Sequence, residues 1–223
     1  NHNYLSVVYN EDSCPFTEYP DKLANYLISR YSIKPNHKLL EVGCGRGDFL
    51  RGFIRSGIDC HGVDQSDTAK KICPEADIRL ADLEEKIPYE DNFFDVIYSK
   101  PVIEHFYYPD HLFTEIHRVL KPGGLVISLT PDWEYNYKSF YDDYTHRVPF
   151  TVTSLRDIML ITSFENIEVE RFRQLPFLWK MPWLTLLSVL TAWVTPSCLK
   201  KNSKFIRFSQ EVMLLSSGTK PKP

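Results

Sequence analysis

The sequence predicts an α/β fold with a doubly wound parallel sheet and helices on both faces, on three observations. The stretch Lys38-Leu39-Leu40-Glu41-Val42-Gly43-Cys44-Gly45-Arg46-Gly47-Asp48-Phe49-Leu50 reads as a strand, a tight glycine turn and a helix start. Short apolar runs at 38–42, 58–64, 77–81, 95–99 and 125–130 alternate with helical patterns, the spacing of strand–helix–strand units. Acids stand at or just after the tips of the first three runs (Glu41, Asp64 and Asp82), where such a sheet collects its ligand-binding groups. At 223 residues the chain suits one domain with a sizeable core. We divide 1–223 into an N-terminal arm and helix (1–34), a central unit (38–130) and a C-terminal part (131–223).

Taken in order, residues 1–20 carry turn formers and scattered aromatics and read as an irregular arm or lid. From Asp21, Leu23, Tyr26, Leu27 and Tyr31 form one apolar helical face that ends before Pro35. After the strand at 38–42 and the glycine turn, a helix runs to about Ser56, where Gly57 ends it. Ile58 to Asp64 is the second strand, a third lies near 77–81, and Asp95 to Ser99 is a buried fourth. Leu112, Phe113, Ile116, Val119 and Leu120 face one side of a helix that stops at Pro122-Gly123-Gly124. Leu125 to Thr130 is the fifth strand, Ser154 to Ser163 a helix and Asn166 to Arg173 the sixth strand; Phe205 to Ser216 would be the seventh.

Composition narrows the function classes. The hydrophobic share of 43% and charged share of 25% are ordinary for a globular protein. A net charge of −3 and a pI near 6.2 leave no overall basic footprint for nucleic acid. The five cysteines (Cys14, Cys44, Cys60, Cys73, Cys198) are odd in number and never spaced C-x-x-C. That disfavours a disulfide framework or a cysteine zinc site and fits a reducing, cytoplasmic compartment. The N-terminus has no apolar signal-peptide core. The start at Asn1 hints at a domain of a longer, glycan-modifying protein.

The glycine turn separates two nucleotide-binding patterns. A dinucleotide loop G-x-G-x-x-G would need its third glycine at position 48, which is Asp48. The pattern is instead E-x-G-x-G-x-G, from Glu41 through Gly43, Gly45 and Gly47. It resembles the first motif of the class I S-adenosylmethionine-dependent methyltransferases (type 11/12, similar to ubiquinone O-methyltransferases). Three further stretches carry the same resemblance, in order and at the right spacing: Asp64 at the second strand's tip, Phe94 to Ser99 followed by Val102-Ile103-Glu104-His105, and Arg118 to Gly124.

The resemblance implies a Rossmann-like, seven-stranded and mostly parallel sheet, its last strand inserted antiparallel. It implies S-adenosylmethionine as cofactor, held by Glu41, Gly43, Cys44, Gly45, Gly47, Asp64, Gln65, Asp82, Leu83 and Ser99. Asp64 would accept both ribose hydroxyls, and Asp82-Leu83 would serve the adenine amino group and ring face. The cofactor's carboxylate can lie against the loop N–H groups at the helix N-terminus, and Glu41 would order its ammonium.

Methyl transfer to an oxygen needs a base, and two histidines qualify by position. His105 follows the fourth strand, and His146 lies in Tyr141-Asp142-Asp143-Tyr144-Thr145-His146-Arg147-Val148-Pro149-Phe150-Thr151; Asp143 is grouped with them as a catalytic candidate. The bland alternatives are a helix-capping histidine at 105 and a turn-fixing one at 146. A metal reading competes: Glu104, His105 and His146 resemble the E-x-x-E-H plus H set of the small-RNA 2′-O-methyltransferases. The first glutamate of that set would fall on Pro101, so Asp142 or Asp143 would have to replace it around Mg or Mn.

The acceptor is less constrained. Trp133, Tyr135, Tyr137, Phe140, Tyr141 and Tyr144, interleaved with Asp132, Asp142 and Asp143, make a platform for a hydroxylated ring such as a sugar, or a lid packed on the core. The stretch from Asp143 through Leu155 looks like methyltransferases of glycan and polysaccharide biosynthesis. O-methylation of a glycan sugar is therefore expected. A quinone-like or RNA acceptor with a divalent metal is one alternative, and a non-catalytic cofactor-binding partner protein is another. Leu175 to Val194 is strongly apolar within an insertion spanning 175–204 but broken by Lys180 and Pro182, and the clean run from Trp183 to Val194 is too short to span a bilayer. Three readings stand for it: a helical hairpin over the site, a dimer surface, or a peripheral membrane contact.

Overall fold

A computed structural model describes residues 15–186, 189–190 and 212–223. Seven strands form one sheet in the order β3-β2-β1-β4-β5-β7-β6: β1 Lys38–Val42, β2 Asp59–Asp64, β3 Asp77–Leu80, β4 Phe94–Ser99, β5 Leu120–Pro131, β6 Glu165–Arg173 and β7 Val212–Thr219. Pairing is parallel from β3 through β5, and β7 runs antiparallel between β5 and β6. The seven-stranded, mostly parallel sheet is thus present. The part of the expected last strand at 205–211, and most of the arm at 1–20, lie outside the described residues.

Strand pleating sends Leu39 and Leu40, both fully buried, to opposite faces of the sheet. One face packs Leu40, Val42 and Ile97 under helix α4 (Pro109–Val119) through Leu112, Phe113 and Ile116. The other packs Leu39, Val96 and Tyr98 under α1 (Tyr19–Tyr31) and α2 (Asp48–Arg55) through Leu23, Leu27 and Phe53. Each such aliphatic side chain contributes roughly 1.5–3 kcal/mol by leaving water. Gly52 brings α1 and α2 together: a Cβ there would meet the Pro20 carbonyl oxygen at 2.9 Å.

The chain between β2 and β3 adds a short helix α3 (Ala69–Ile72), and α5 (Trp133–Asn136) follows β5. Helix α6 (Val152–Ile161) starts two residues before the expected one because Thr151 and Ser154 form a reciprocal capping box. Helix α4 stops earlier than its apolar pattern predicts. Leu120 already pairs with Phe94, and residues 121–124 bulge out before Val96 pairs with Leu125. The glycines therefore serve a strand bulge, with Gly123 at φ +78°, rather than a helix end.

Of the apolar insertion, the described part is α7 (Pro176–Lys180) and a short 3-10 turn, Pro182–Leu184. Leu178 is buried, and Trp179 stacks on Phe172 and donates Nε1–H to the Arg173 carbonyl at 2.8 Å. Trp183, Leu186 and Leu190 are exposed, and residues 191–204 lie outside the described chain. No described helix is long and apolar enough to cross a membrane.

Candidate active site

A cavity of about 500 Å³ opens at the carboxyl ends of β1, β2 and β4, lined among others by Glu41, Gly43, Gly45, Asp64, Lys100 and His105. That is ample for a small ligand. Its rim is the glycine turn. Gly43, Gly45 and Gly47 have φ of +71°, +51° and +84°, a region that L side chains avoid. A Cβ on Gly43 would stand 2.4 Å from Val102 Cγ2, so glycine lets the turn close on the chain after β4.

Internal bonds hold the turn. Gly43 and Cys44 N–H donate to the Val63 carbonyl at 2.8 and 3.2 Å, and Gly47 N–H to that of Cys44 at 2.7 Å. Gly45 N–H donates to Asp64 Oδ2 at 2.8 Å, and Ser66 N–H to Asp64 Oδ1 at 2.9 Å. Asp64 is thus fixed at the tip of β2, with lone pairs remaining on both oxygens for a ligand's hydroxyls.

The floor is charged. Glu41 is 1% exposed, its Oε2 has no hydrogen-bond partner among the described residues, and burial pushes its carboxyl well above the usual range, with Asp48 and Asp64 adding to the effect. Lys100 follows β4 and is 8% exposed, its ammonium 4.4 Å from the Phe49 ring centre and 4.9 Å from that of Tyr19. Burial lowers its pKa to about 7, against the pull of Glu104 and Glu41.

At the mouth, His105 Nδ1 lies 2.8 Å from the Thr145 hydroxyl, which in turn lies 2.6 Å from Asp143 Oδ1. The carboxylate can only accept, so Thr145 gives its proton to Asp143 and accepts from His105 Nδ1–H. The lone pair of His105 is then on Nε2. Burial and the neighbouring His146 lower its pKa to about 4. His146 gives Nδ1–H to the Phe140 carbonyl, and the two imidazoles pack edge-on with centres 4.8 Å apart. Glu104 is fully buried; Oε2 accepts from Thr130 at 3.0 Å, Oε1 has no partner among the described residues, and burial raises its pKa to about 7. One donor atom from each of Glu104, His105 and His146 lies within 4.8 Å of the others.

Residues 40–128 match the family described as a methyltransferase domain. The ubiquinone/menaquinone biosynthesis C-methyltransferase of Paraburkholderia phytofirmans is 29% identical over 135 residues, which cover 55% of this chain and 55% of that protein. The match thus spans about half the length of such relatives. Among solved structures, Haemonchus contortus phosphoethanolamine N-methyltransferase 2 in complex with phosphomonomethylethanolamine and S-adenosylhomocysteine superposes with a TM-score of 0.70 at 20% identity, covering 98% of this chain and 59% of that one. A SAM-dependent methyltransferase from Archaeoglobus fulgidus gives 0.66 at 18%, covering 97% and 100%. The family match thus lies over residues 40–128, and the fold around it is that of the solved methyltransferases.

Of the residues expected to hold the cofactor, Glu41, Gly43, Cys44, Gly45, Asp64, Gln65 and Leu83 line the cavity. Gly47 instead turns toward Cys73 and Ala69, where a Cβ would meet their atoms at 3.0 and 3.2 Å. Ser99 is buried at the end of β4. Asp82 borders a second cavity with Gln65, Leu80 and Ala81, and accepts from Gln65 Nε2 at 3.3 Å. The unpartnered Glu41 oxygen, the glycine turn and the fixed Asp64 carboxylate fit S-adenosylmethionine's ammonium, close backbone approach and ribose. The N–H groups of Gly43, Cys44, Gly45 and Gly47 are already donated within the protein. Sequence reasoning missed Lys100, Arg46 and Thr145 as cavity residues. The one signal for Lys100 was a lone charge between Ser99 and the apolar Pro101-Val102-Ile103.

Proposed function

We propose that this methyltransferase domain transfers a methyl group from S-adenosylmethionine to a hydroxyl of a ring-bearing acceptor, a glycan sugar, with His105 as general base. The observation that carries the reading is the chain His105–Thr145–Asp143 at the cavity, which fixes the imidazole's plane and tautomer. The bound cofactor supplies an electrophilic methyl on a sulfonium centre. The protein's share is positioning and proton removal: Asp64 and Glu41 hold the donor end, His105 takes the hydroxyl proton, and Asp143 steadies the imidazolium through Thr145. His146 packs against His105 and fixes its plane. The exposed Tyr107, Tyr108, Tyr135, Tyr141 and Tyr144 support a sugar, since aromatic faces suit the apolar face of a pyranose and their hydroxyls its rim.

Two observations favour competing readings. The convergence of Glu104, His105 and His146 offers one carboxylate and two imidazoles to a divalent cation such as Mn or Mg, which would activate the acceptor hydroxyl as a Lewis acid. The similarity to quinone-pathway C-methyltransferases favours an aromatic ring activated at carbon, where His105 would deprotonate the ring hydroxyl. A labelled-methyl assay over sugar, quinone and RNA acceptors, with and without chelator, separates them. Our reading expects label on a sugar hydroxyl, unaffected by chelator. Label on ring carbon, or complete loss with chelator, contradicts it. Donor binding without transfer to any acceptor would favour a non-catalytic partner protein.

A further inference from the structure

Independently of the reaction proposed above, charge is unevenly distributed along the chain. From Leu175 to Gln210 the sequence carries Lys180, Lys200, Lys201, Lys204 and Arg207 and no Asp or Glu, whereas the rest of the chain carries 21 Lys and Arg against 29 Asp and Glu. An acid-free, basic stretch thus sits in a protein of net charge −3. The same stretch holds Trp179, Trp183 and Trp193, three of the four tryptophans. Its described side chains divide into two sets. Leu178 is buried, and Trp179 packs against Tyr26, Phe172 and Tyr19, with ring centres 4.8, 5.3 and 6.0 Å away. Just beyond them Lys180, Met181, Trp183, Leu186, Val189 and Leu190 are exposed, Trp183 at 72% and Leu186 at 73%. Large apolar side chains left outside together mark a contact surface.

We propose that this surface attaches the chain peripherally to an anionic lipid bilayer, lying among the headgroups without crossing. Apolar side chains that include Trp, with Lys alongside, are the composition of segments that lie in a membrane interface. The apolar groups enter the acyl boundary, Trp sits at headgroup level, and the Lys stem reaches along apolar surface to a phosphate. The absence of acids from 175–210 favours a negative surface over a neutral one. It also disfavours a second copy of the chain in a two-fold contact, whose matching face would carry the same positive charge. No described helix is long and apolar enough to cross, and the clean run from Trp183 to Val194 falls short of the roughly 20 residues a spanning helix needs. Attachment here sets the bilayer close to the cavity: Trp179 packs on Tyr19, whose ring lies 4.9 Å from the ammonium of the cavity residue Lys100.

Flotation of the purified chain with vesicles tests this, using phosphatidylcholine alone and an equal mixture of phosphatidylcholine and phosphatidylglycerol. Each cation near an anionic leaflet strengthens attachment about fivefold, so the mixed vesicles should hold the unmutated chain more than about tenfold more tightly, and added salt should weaken that hold. The triple substitution Trp183→Ser, Leu186→Ser, Leu190→Ser should weaken binding to the mixed vesicles by more than about tenfold, because these side chains would no longer enter the acyl boundary. The melting temperature of that variant in lipid-free buffer should be unchanged. Unmutated chain that fails to float with the mixed vesicles, or floats equally with both kinds, overturns the proposal without needing any variant. So does a triple variant that floats like the unmutated chain. A triple variant that melts several degrees lower overturns it too, since the chain itself would then cover these side chains. A concentration-dependent dimer in lipid-free buffer that the triple substitution abolishes assigns the surface to a second copy instead.

Discussion

His105 and Thr145 meet across forty residues of sequence, the imidazole Nδ1 giving its proton to a hydroxyl 2.8 Å away that is itself committed to Asp143. This relation sets the histidine's tautomer, with the lone pair on Nε2. His105→Gln should therefore lower turnover by about 10²–10⁴-fold, the range of a positioned base, with donor affinity little changed. Thr145→Val should produce a smaller loss in kcat. Single-turnover kinetics with bound donor checks both; unaltered turnover in His105→Gln would remove it from the chemistry.

The same histidine governs the acid side of the pH profile. Its pKa is lowered to about 4 from 6.5 by burial and by His146, so the neutral, basic form is populated above about pH 4. The acid limb of kcat/KM should lie nearer 4 than 6.5. Because the folded value lies below the unfolded one, this group's contribution to stability is complete above about pH 6.5 and is lost as pH falls toward 4. Glu104, raised to about 7, is told apart by repeating the profile in Glu104→Gln.

Gly43 tests the turn. An alanine there would have φ +71° and a Cβ 2.4 Å from Val102 Cγ2. The left-handed backbone costs about 1–2 kcal/mol and the crowding about 1–3 more. Gly43→Ala should lower the melting temperature and abolish donor binding. Adding Val102→Ala should recover stability in part, since it relieves the clash but not the backbone strain.

Asp132 anchors the segment that carries the acceptor side. Its side chain is fully buried, accepts from Glu134 N–H at 3.1 Å to cap α5, and pairs with Arg171 Nε at 2.8 Å. Arg171→Met leaves that carboxylate without its cation. The arginine is partly exposed, so the cost should be about 1–3 kcal/mol rather than that of a fully buried pair. Denaturant unfolding measures it, and a change below 0.5 kcal/mol would show that solvent screens the pair.

The parts legible in the sequence are those with a period or a local constraint. The run Leu39-Leu40-Glu41-Val42, the positive-φ glycines and Asp64 at the tip of β2 each follow from short-range chemistry. The convergence of Glu104, His105 and His146 was legible only through a resemblance to a known ligand set, since nothing in sequence spacing says that two loops meet. Lys100 was missed because one lysine after a strand reads as solvated, and only the packing of Tyr19 and Phe49 around it shows otherwise. The engagement of Gly43, Cys44 and Gly45 N–H with Val63 and Asp64 was not legible either, being a matter of how β2 lies beside β1.

Crystals grown with S-adenosylhomocysteine give the most direct test of the central claim, that the cavity above β1, β2 and β4 holds the methyl donor. The account predicts density in that cavity, with the ribose hydroxyls on the Asp64 carboxylate and the homocysteine ammonium at Glu41. Density for the nucleoside elsewhere, or a ribose that does not touch Asp64, would contradict it.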